Sequence, residues 1–368
     1  GKKPRDITRT LASGFRRLIQ IDDLRPNAEL KYCPVASDEV VCEPTDVLIA
    51  WDGANAGTTG FGLEGAVGST LAILRPNTPN LSTPYLGHFL RAQELYLRCR
   101  CKGATVPHID GPVLGALDLP LPPLAEQERI AGILDQADAL RALRRAALAK
   151  LDALPQAIFA DMFGDPRVQQ SDDTQPLCEI AEVVSGVAKG RKFNGRETLT
   201  VAYLRVANVQ AGYLNLDEIK TIEALPAELE ELRLVRGDVV MTEGGDFDKL
   251  GRGALWNGEV ADCIHQNHVF RVRVDASRVQ PRYFHDYLQT EASRDYFLKC
   301  AKRTTNLASI NMRQLKALPV LVPPLALQEE FARRVGAVEQ LRSAHRDALA
   351  KLDELFAALQ HRAFRGEL

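Results

Sequence analysis

Residues 122–163 read PPLAEQERIAGILDQADALRALRRAALAKLDALPQAIFADMF, and residues 323–364 read PPLALQEEFARRVGAVEQLRSAHRDALAKLDELFAALQHRAF. The two stretches align without a gap at a spacing of 201 residues, with 19 of 42 positions identical. A period this long is not that of a solenoid, whose repeats run to some 20–50 residues. It marks duplication of a large unit, so the 368-residue chain must fold as two related halves.

Each copy opens on Pro-Pro and continues in a helical pattern. Ile130, Ile133, Ala137, Leu140, Ala147, Leu151, Leu154 and Ile158 recur at spacings of three and four, and Phe331, Val338, Leu341, Ala348, Leu352, Leu355 and Leu359 keep the same phase. That is a coiled-coil seam. Each helix buries one stripe, so the two pair most simply with each other, antiparallel, with the intervening chain as a globular domain. Some thirty residues at ~1.5 Å each make a rod of ~45 Å. Arg144 and His345 occupy equivalent seam positions, either fixing register or reaching to the edge of the seam. Pro155 is expected to kink or end the first helix.

The segments outside the helices carry matching landmarks. Leu18–Leu24 resembles Tyr203–Val209 as an alternating strand, and Thr45–Ile49 resembles Gly237–Met241 as a turn entering a strand. Gly68–Leu74 matches Gln266–Val272 as a strand, the helix from Pro84 matches that from Arg282, and Gly103–Ile109 matches Thr304–Ile310. Each copy then runs through an apolar strand into Pro-Pro. The expected organisation is α/β (α+β): a first recognition-type domain at 1–121, a spacer helix at 122–164, a second domain at 165–322 and a second spacer helix at 323–368. Gly1 aligns with Gly186, and the second copy has a further apolar segment, Leu177–Val184, before that point. The expectation is that the natural protein begins some 10–25 residues earlier.

Composition narrows the function classes. With 45% hydrophobic and 26% charged residues the chain is neither disordered nor a small disulfide scaffold. Its seven cysteines are odd in number and unpatterned, which reads as a reduced, cytoplasmic protein. No apolar run is long enough to span a bilayer. The net charge of -2 gives no overall basic footprint, and all four segments lie within three charges of neutrality, so any basic surface must be local. No phosphate-binding Gly-x-x-x-x-Gly-Lys-Ser/Thr loop occurs. Gly60-Phe61-Gly62-Leu63-Glu64-Gly65 has dinucleotide-loop spacing but leads into a strand-like run. Asp246-Phe247-Asp248 begins like a calcium loop, with Leu250 at the next ligand position. Cys263, His265 and His268 could ligate a metal only if they shared a face, which an alternating strand denies to residue 268. No metal or cofactor is expected in this chain.

The doubled order of domain and helix, the Asp-Val-Leu-Ile-Ala-Trp-Asp-Gly-Ala-Asn-Ala-Gly stretch at Asp46–Gly57, Gly-Ala-Thr-Val-Pro-His-Ile at Gly103–Ile109, and Pro-Leu-Pro-Pro-Leu-Ala-Glu-Gln-Glu-Arg-Ile at Pro120–Ile130 resemble the specificity subunits of Type I restriction–modification systems. The resemblance covers essentially the whole chain. The second copy departs from it, with Thr242-Glu243-Gly244-Gly245 where the first has Ala50-Trp51-Asp52-Gly53, Leu327 for Glu126 and Glu330 for Arg129. The resemblance implies a non-catalytic subunit that recognises double-stranded DNA and scaffolds two modification subunits and restriction/translocase subunits. S-adenosylmethionine, ATP and magnesium would belong to those partners. It also implies a prokaryotic cytoplasmic location, at the nucleoid when DNA-bound. The adenine-methyltransferase Asn/Asp-Pro-Pro-Tyr/Phe loop is missing, since Pro-Pro occurs only at 122–123 and 323–324. Rival readings are a single-chain restriction or modification enzyme and a coiled-coil protein-binding adapter.

Two domains carried on a rod can reach major grooves about one helical turn apart, ~34 Å, so the target is expected to be split and asymmetric. Base edges are read by Arg, Lys, Asn and Gln, and phosphates by basic and hydroxyl groups. The candidates in the first domain are Lys2, Lys3, Arg5, Arg9, Arg16, Arg17, Trp51, Asn55 and Thr58. In the second they are Lys189, Arg191, Lys192, Asn194, Arg196, Asp246, Lys249, Arg252, Arg303, Thr304 and Asn306. Trp51 can equally be core. Glu126, Arg129, Arg144 and Arg145 are expected to face away from the seam toward modification subunits.

Overall fold

The computed structural model describes residues 1, 6–25, 29–36, 39–103, 105–168, 174–245, 250–303 and 308–368, the side chains of 302 and 303 excepted. It divides into two compact units, residues 1–148 with 345–368, and residues 149–344. The division runs through both long helices, Leu124–Phe163 and Leu325–Ala363, so each unit owns part of each.

Among the described residues the first unit carries two small sheets. One runs Lys31–Pro34, Phe15–Ile19, Gly65–Val67, Val41–Cys42; the other runs Thr59–Phe61, Val47–Ala50, Leu71–Leu74. The second unit repeats both. Lys220–Ala224, Leu199–Leu204 and Ile264–His265 form one sheet, and Gly253–Leu255, Val239–Thr242, Val269–Val274 and Ala181–Ser185 form the other. Register confirms the aligned residues. Leu18 pairs with Ala66 in a parallel ladder, as Tyr203 pairs with Ile264, and Val47 faces Leu74 as Val239 faces Val272. A side chain at Gly1 would meet the carbonyls of Val67 and Gly68, and one at Gly186 the carbonyl of His265.

The alternating strands expected over Leu18–Leu24 and Tyr203–Val209 stop early, at Ile19 and Leu204, and turn into short 3-10 helices over Ile21–Leu24 and Val206–Asn208. A local side chain competes with the ladder in both. The Asp23 carboxylate accepts from the Gln20 N–H at 2.8 Å, and the Asn208 amide oxygen from the Arg205 N–H at 2.9 Å. The apolar stretch before the second Pro-Pro is a strand, Pro319–Leu321, paired with Thr174–Pro176. Before the first Pro-Pro, Leu117–Leu121 forms no strand.

One ion pair locks the central sheet of each unit. Asp46 is buried and accepts from Arg75 Nε and Nη2, both at 2.7 Å, and from the Glu43 N–H at 2.9 Å. The Arg75 guanidinium holds its carboxyl below the usual carboxylate range. Asp238 repeats the arrangement with Arg273, at 2.7 and 2.9 Å, and the Val235 N–H at 2.8 Å. The Asp-Val landmark therefore serves the fold.

In each unit the long helices pack antiparallel. In the first, Arg141 and Arg145 bond Asp353, and Arg144 Nη1 lies 3.2 Å from Nδ1 of His345, its own repeat counterpart. In the second, Arg342 reaches Asp152 at 3.3 Å and Phe331 packs on Phe159. The first helix runs through Pro155, contrary to the expected kink or end at that position. Pro155 is buried, and packing holds the helix despite the missing N–H.

The heptad stripe is not uniformly buried. Ile130, Ala137, Phe331 and Val338 are inside, whereas Leu140 and its counterpart Leu341 are 52% and 54% exposed, and Leu154 and Leu355 are 38% and 50% exposed. A 3.6-residue helix drifts ~20° per heptad, which turns these positions out of the contact.

A buried glutamine ties each sheet domain to the start of a long helix. Gln127 Nε2 donates to the carbonyls of Asn80 and Pro122, and Oε1 accepts from the Ser82 N–H. Gln328 does the same for Arg278, Pro323 and the Gln280 N–H. Tyr85 donates to the Pro120 carbonyl and packs on Phe364; Tyr283 donates to the Leu321 carbonyl and packs on Phe163. The Pro-Pro-Leu-Ala-x-Gln sequence thus encodes a joint between sheet domain and helix.

Candidate nucleic-acid interface

The strand ends of the second unit converge beyond Thr242. The Glu243 N–H donates to the His268 carbonyl at 3.0 Å, and the Ile310 N–H to the Glu243 carbonyl at 2.8 Å. Gly244–Gly245 then pairs with Ala308–Ser309, which pairs with Lys302–Arg303. Val187 bridges Gln266, and the Asn267 N–H donates to the Val187 carbonyl, placing the loop that begins at Ala188 beside Asn267. Basic segments distant in sequence therefore meet at one strand-end cluster.

Lys189, Lys192, Asn194 and Arg196 are exposed on that loop, with Asn194 in the left-handed region at φ 49°. The Lys189 ammonium sits 5.7 Å from the Tyr203 ring centroid. Arg191 is less available: it forms a two-point ion pair with Glu228, and its guanidinium lies near the Phe193 ring. Arg252 donates to Gln210 Oε1 at 3.0 Å. Arg303 lies on a described strand, without a side-chain description. Asp246, Lys249, Thr304 and Asn306 lie outside the described residues, as do Lys2, Lys3 and Arg5.

The first unit repeats the frame. The Trp51 N–H donates to the Thr70 carbonyl at 2.8 Å, the Ile109 N–H to the Trp51 carbonyl at 2.9 Å, and Asp52 bridges His108. Trp51 is partly buried against the core. Thr58 is buried, with its hydroxyl donating to Glu94 at 3.0 Å. Asn55 accepts from Arg25. Arg16 pairs with Glu39 and Arg17 with Asp23, each at 3.0 Å, and Arg9 with Glu29 in an exposed pair. Arg25 was not among the sequence candidates. Thr58 and Arg25 line the same cleft, with Arg91, Arg141 and Arg145.

Cys263 and His265 are buried. Burial pushes the thiol up to about 12 and the imidazole down to about 4, and Val269 carbonyl lies 2.7 Å from His265 Nδ1. His268 is apart and exposed, paired with Glu243. Among the described residues no group of three His, Cys, Asp or Glu is placed to hold a metal ion, and no helix is long and apolar enough to cross a membrane. On the helices, Glu126 and Arg129 pair with each other, while Arg144 and Arg145 turn toward the second helix rather than away from it.

Residues 34–153 match the family model for the Type I restriction modification DNA specificity domain. Over the full chain and 89% of the relative, the sequence is 23% identical to the Type I restriction enzyme MjaVIII specificity subunit of Methanocaldococcus jannaschii. It is 24% identical to the Type I restriction enzyme EcoKI specificity subunit of Escherichia coli K12, over 88% of this chain and 75% of that one. Over most of its length the chain is thus similar to Type I restriction–modification specificity subunits. The fold agrees. A solved chain from a type I R-M system assembly superposes with a TM-score of 0.57 at 18% identity, covering 96% of this chain and 92% of the other. The S subunit of M. genitalium gives 0.52 at 14% identity, over 90% and 85%. The DNA-specificity match falls across the Asp46–Gly57 and Gly103–Ile109 motifs, where the first unit's strand-end frame is built.

Proposed function

We propose that this chain recognises a bipartite, asymmetric DNA target and scaffolds modification and restriction subunits without catalysing a reaction itself. The observation that carries the reading is a duplicated backbone frame bearing different side chains. The same hydrogen bonds join residues 51, 70 and 109 in one unit and 243, 268 and 310 in the other, with Trp51 and Thr70 replaced by Glu243 and His268. One scaffold used twice with different polar groups suits two different half-sites. Most described arginines here are held by acidic or amide partners, which orients them and prevents a uniform basic face. S-adenosylmethionine and ATP chemistry would reside in partner subunits.

Exchange of residues 165–322 for those of another family member tests the modular reading. The expected result is a new sequence in one half of the methylated target, with the other half retained. A change in both halves would contradict it.

A further inference from the structure

We propose that Glu243 and His268 form a base-reading pair, in which Glu243 accepts a hydrogen bond from the N4 amino group of a cytosine in the half-site read by the second unit. The inference rests on the DNA-recognition reading above and deepens it to one position.

The pair stands where the two units share a backbone and part in chemistry. The bonds from Glu243 to His268 and from Ile310 to Glu243 have counterparts from Trp51 to Thr70 and from Ile109 to Trp51. The polar side chains that tie sheet to helix and strand to strand recur at equivalent positions: Asp46 and Asp238, Tyr85 and Tyr283, Gln127 and Gln328 make the same bonds in both units. Positions 243 and 268 carry different polar chemistry from Trp51 and Thr70 although their backbone bonds are the same. His268 is exposed, at 56%, and Glu243 is partly exposed, at 34%. An ion pair in that setting contributes little to stability.

The chemistry suits a base edge better than a phosphate. A carboxylate only accepts hydrogen bonds and is repelled by phosphate. In the major groove the cytosine N4 amino group is a donor, whereas adenine sets its N6 donor beside the N7 acceptor, which opposes a carboxylate. His268 Nδ1 lies 2.5 Å from Glu243 Oε2 and fixes the carboxylate, while the adjoining basic loop at 189–196 is available to offset its charge against the DNA backbone. The carboxylate is thus held in place before DNA arrives, so little ordering is lost on binding.

The test is base-resolved methylation sequencing of cells carrying the complete system with wild-type chain, E243Q or H268Q. The wild-type motif should require C·G at one position of the half-site assigned to residues 165–322. E243Q should relax that single position by about ten-fold or more, the range for losing one specific base contact, and H268Q should relax the same position less. Equal stringency in both variants, or relaxation in the other half-site, would overturn the assignment. Melting temperature separates the remaining case. Loss of all methylation with unchanged melting supports a binding role, and loss with a lowered melting temperature shows a structural role and refutes it. A wild-type chain that yields no split motif counts against the recognition reading itself.

Discussion

Gln328→Leu should cost roughly 3–6 kcal/mol of stability. The side chain is fully buried, so its removal leaves the Gln280 N–H and the Arg278 and Pro323 carbonyls without their partner. The three partners are part-buried, so each stands in the lower part of the about 1–3 kcal/mol that an unsatisfied buried group costs. Leucine fills most of the volume, so packing loss is secondary. Against a typical domain stability of about 5–15 kcal/mol, this is a large fraction. Gln127→Leu should have a similar effect on the first unit, where Asn80, Pro122 and Ser82 lose the same bonds. Chemical denaturation followed by circular dichroism measures both. A Gln328→Leu midpoint equivalent to less than about 1 kcal/mol of loss would show that the joint is dispensable, since that is the worth of an ordinary hydrogen bond.

Phe331→Ala should be nearly as damaging, at about 3–5 kcal/mol, the usual range for truncating a buried aromatic. Phe331 is fully buried, edge-on to Phe159 and Phe163 at 5.6 Å each and to Tyr283 at 6.2 Å. The cluster joins the start of the second long helix, the end of the first and the sheet domain of the second unit. Leu341→Ala, in the same heptad stripe, should change stability by about 0.5 kcal/mol or less because the side chain is 54% exposed. Comparable losses from the two substitutions would mean that the whole stripe is buried, as the heptad pattern alone implies.

Much of this arrangement was legible in the sequence. The 201-residue repeat pointed to the paired helices, and the landmarks aligned the two copies, whose strand pairings, Leu18 with Ala66 and Tyr203 with Ile264, the structure supplied. The early strand ends were not legible, because Asp23 and Asn208 turn the backbone by single side-chain bonds that alternation does not encode. Nor was the exposure of Leu140 and Leu341, which depends on helix drift and the packing of the sheet domains. The candidate interface was legible by region rather than by residue. The loop at 189–196 does meet the strand-end cluster, but composition could not show that Arg191 is committed to Glu228 or that Thr58 is buried on Glu94. Glu243 and His268 lie 25 residues apart and meet only through the bond between their strands, so neither stood out alone.

The central claim is that this chain supplies DNA sequence specificity to a methylating complex. Base-resolved methylation sequencing of host DNA, with and without the gene, tests it most directly. The account predicts that N6-methyladenine disappears from one split, asymmetric motif when the gene is removed and returns when it is restored. Unchanged methylation at every motif, in cells where the modification subunit is expressed and the chain is bound to it, would contradict the account and favour a protein-binding adapter.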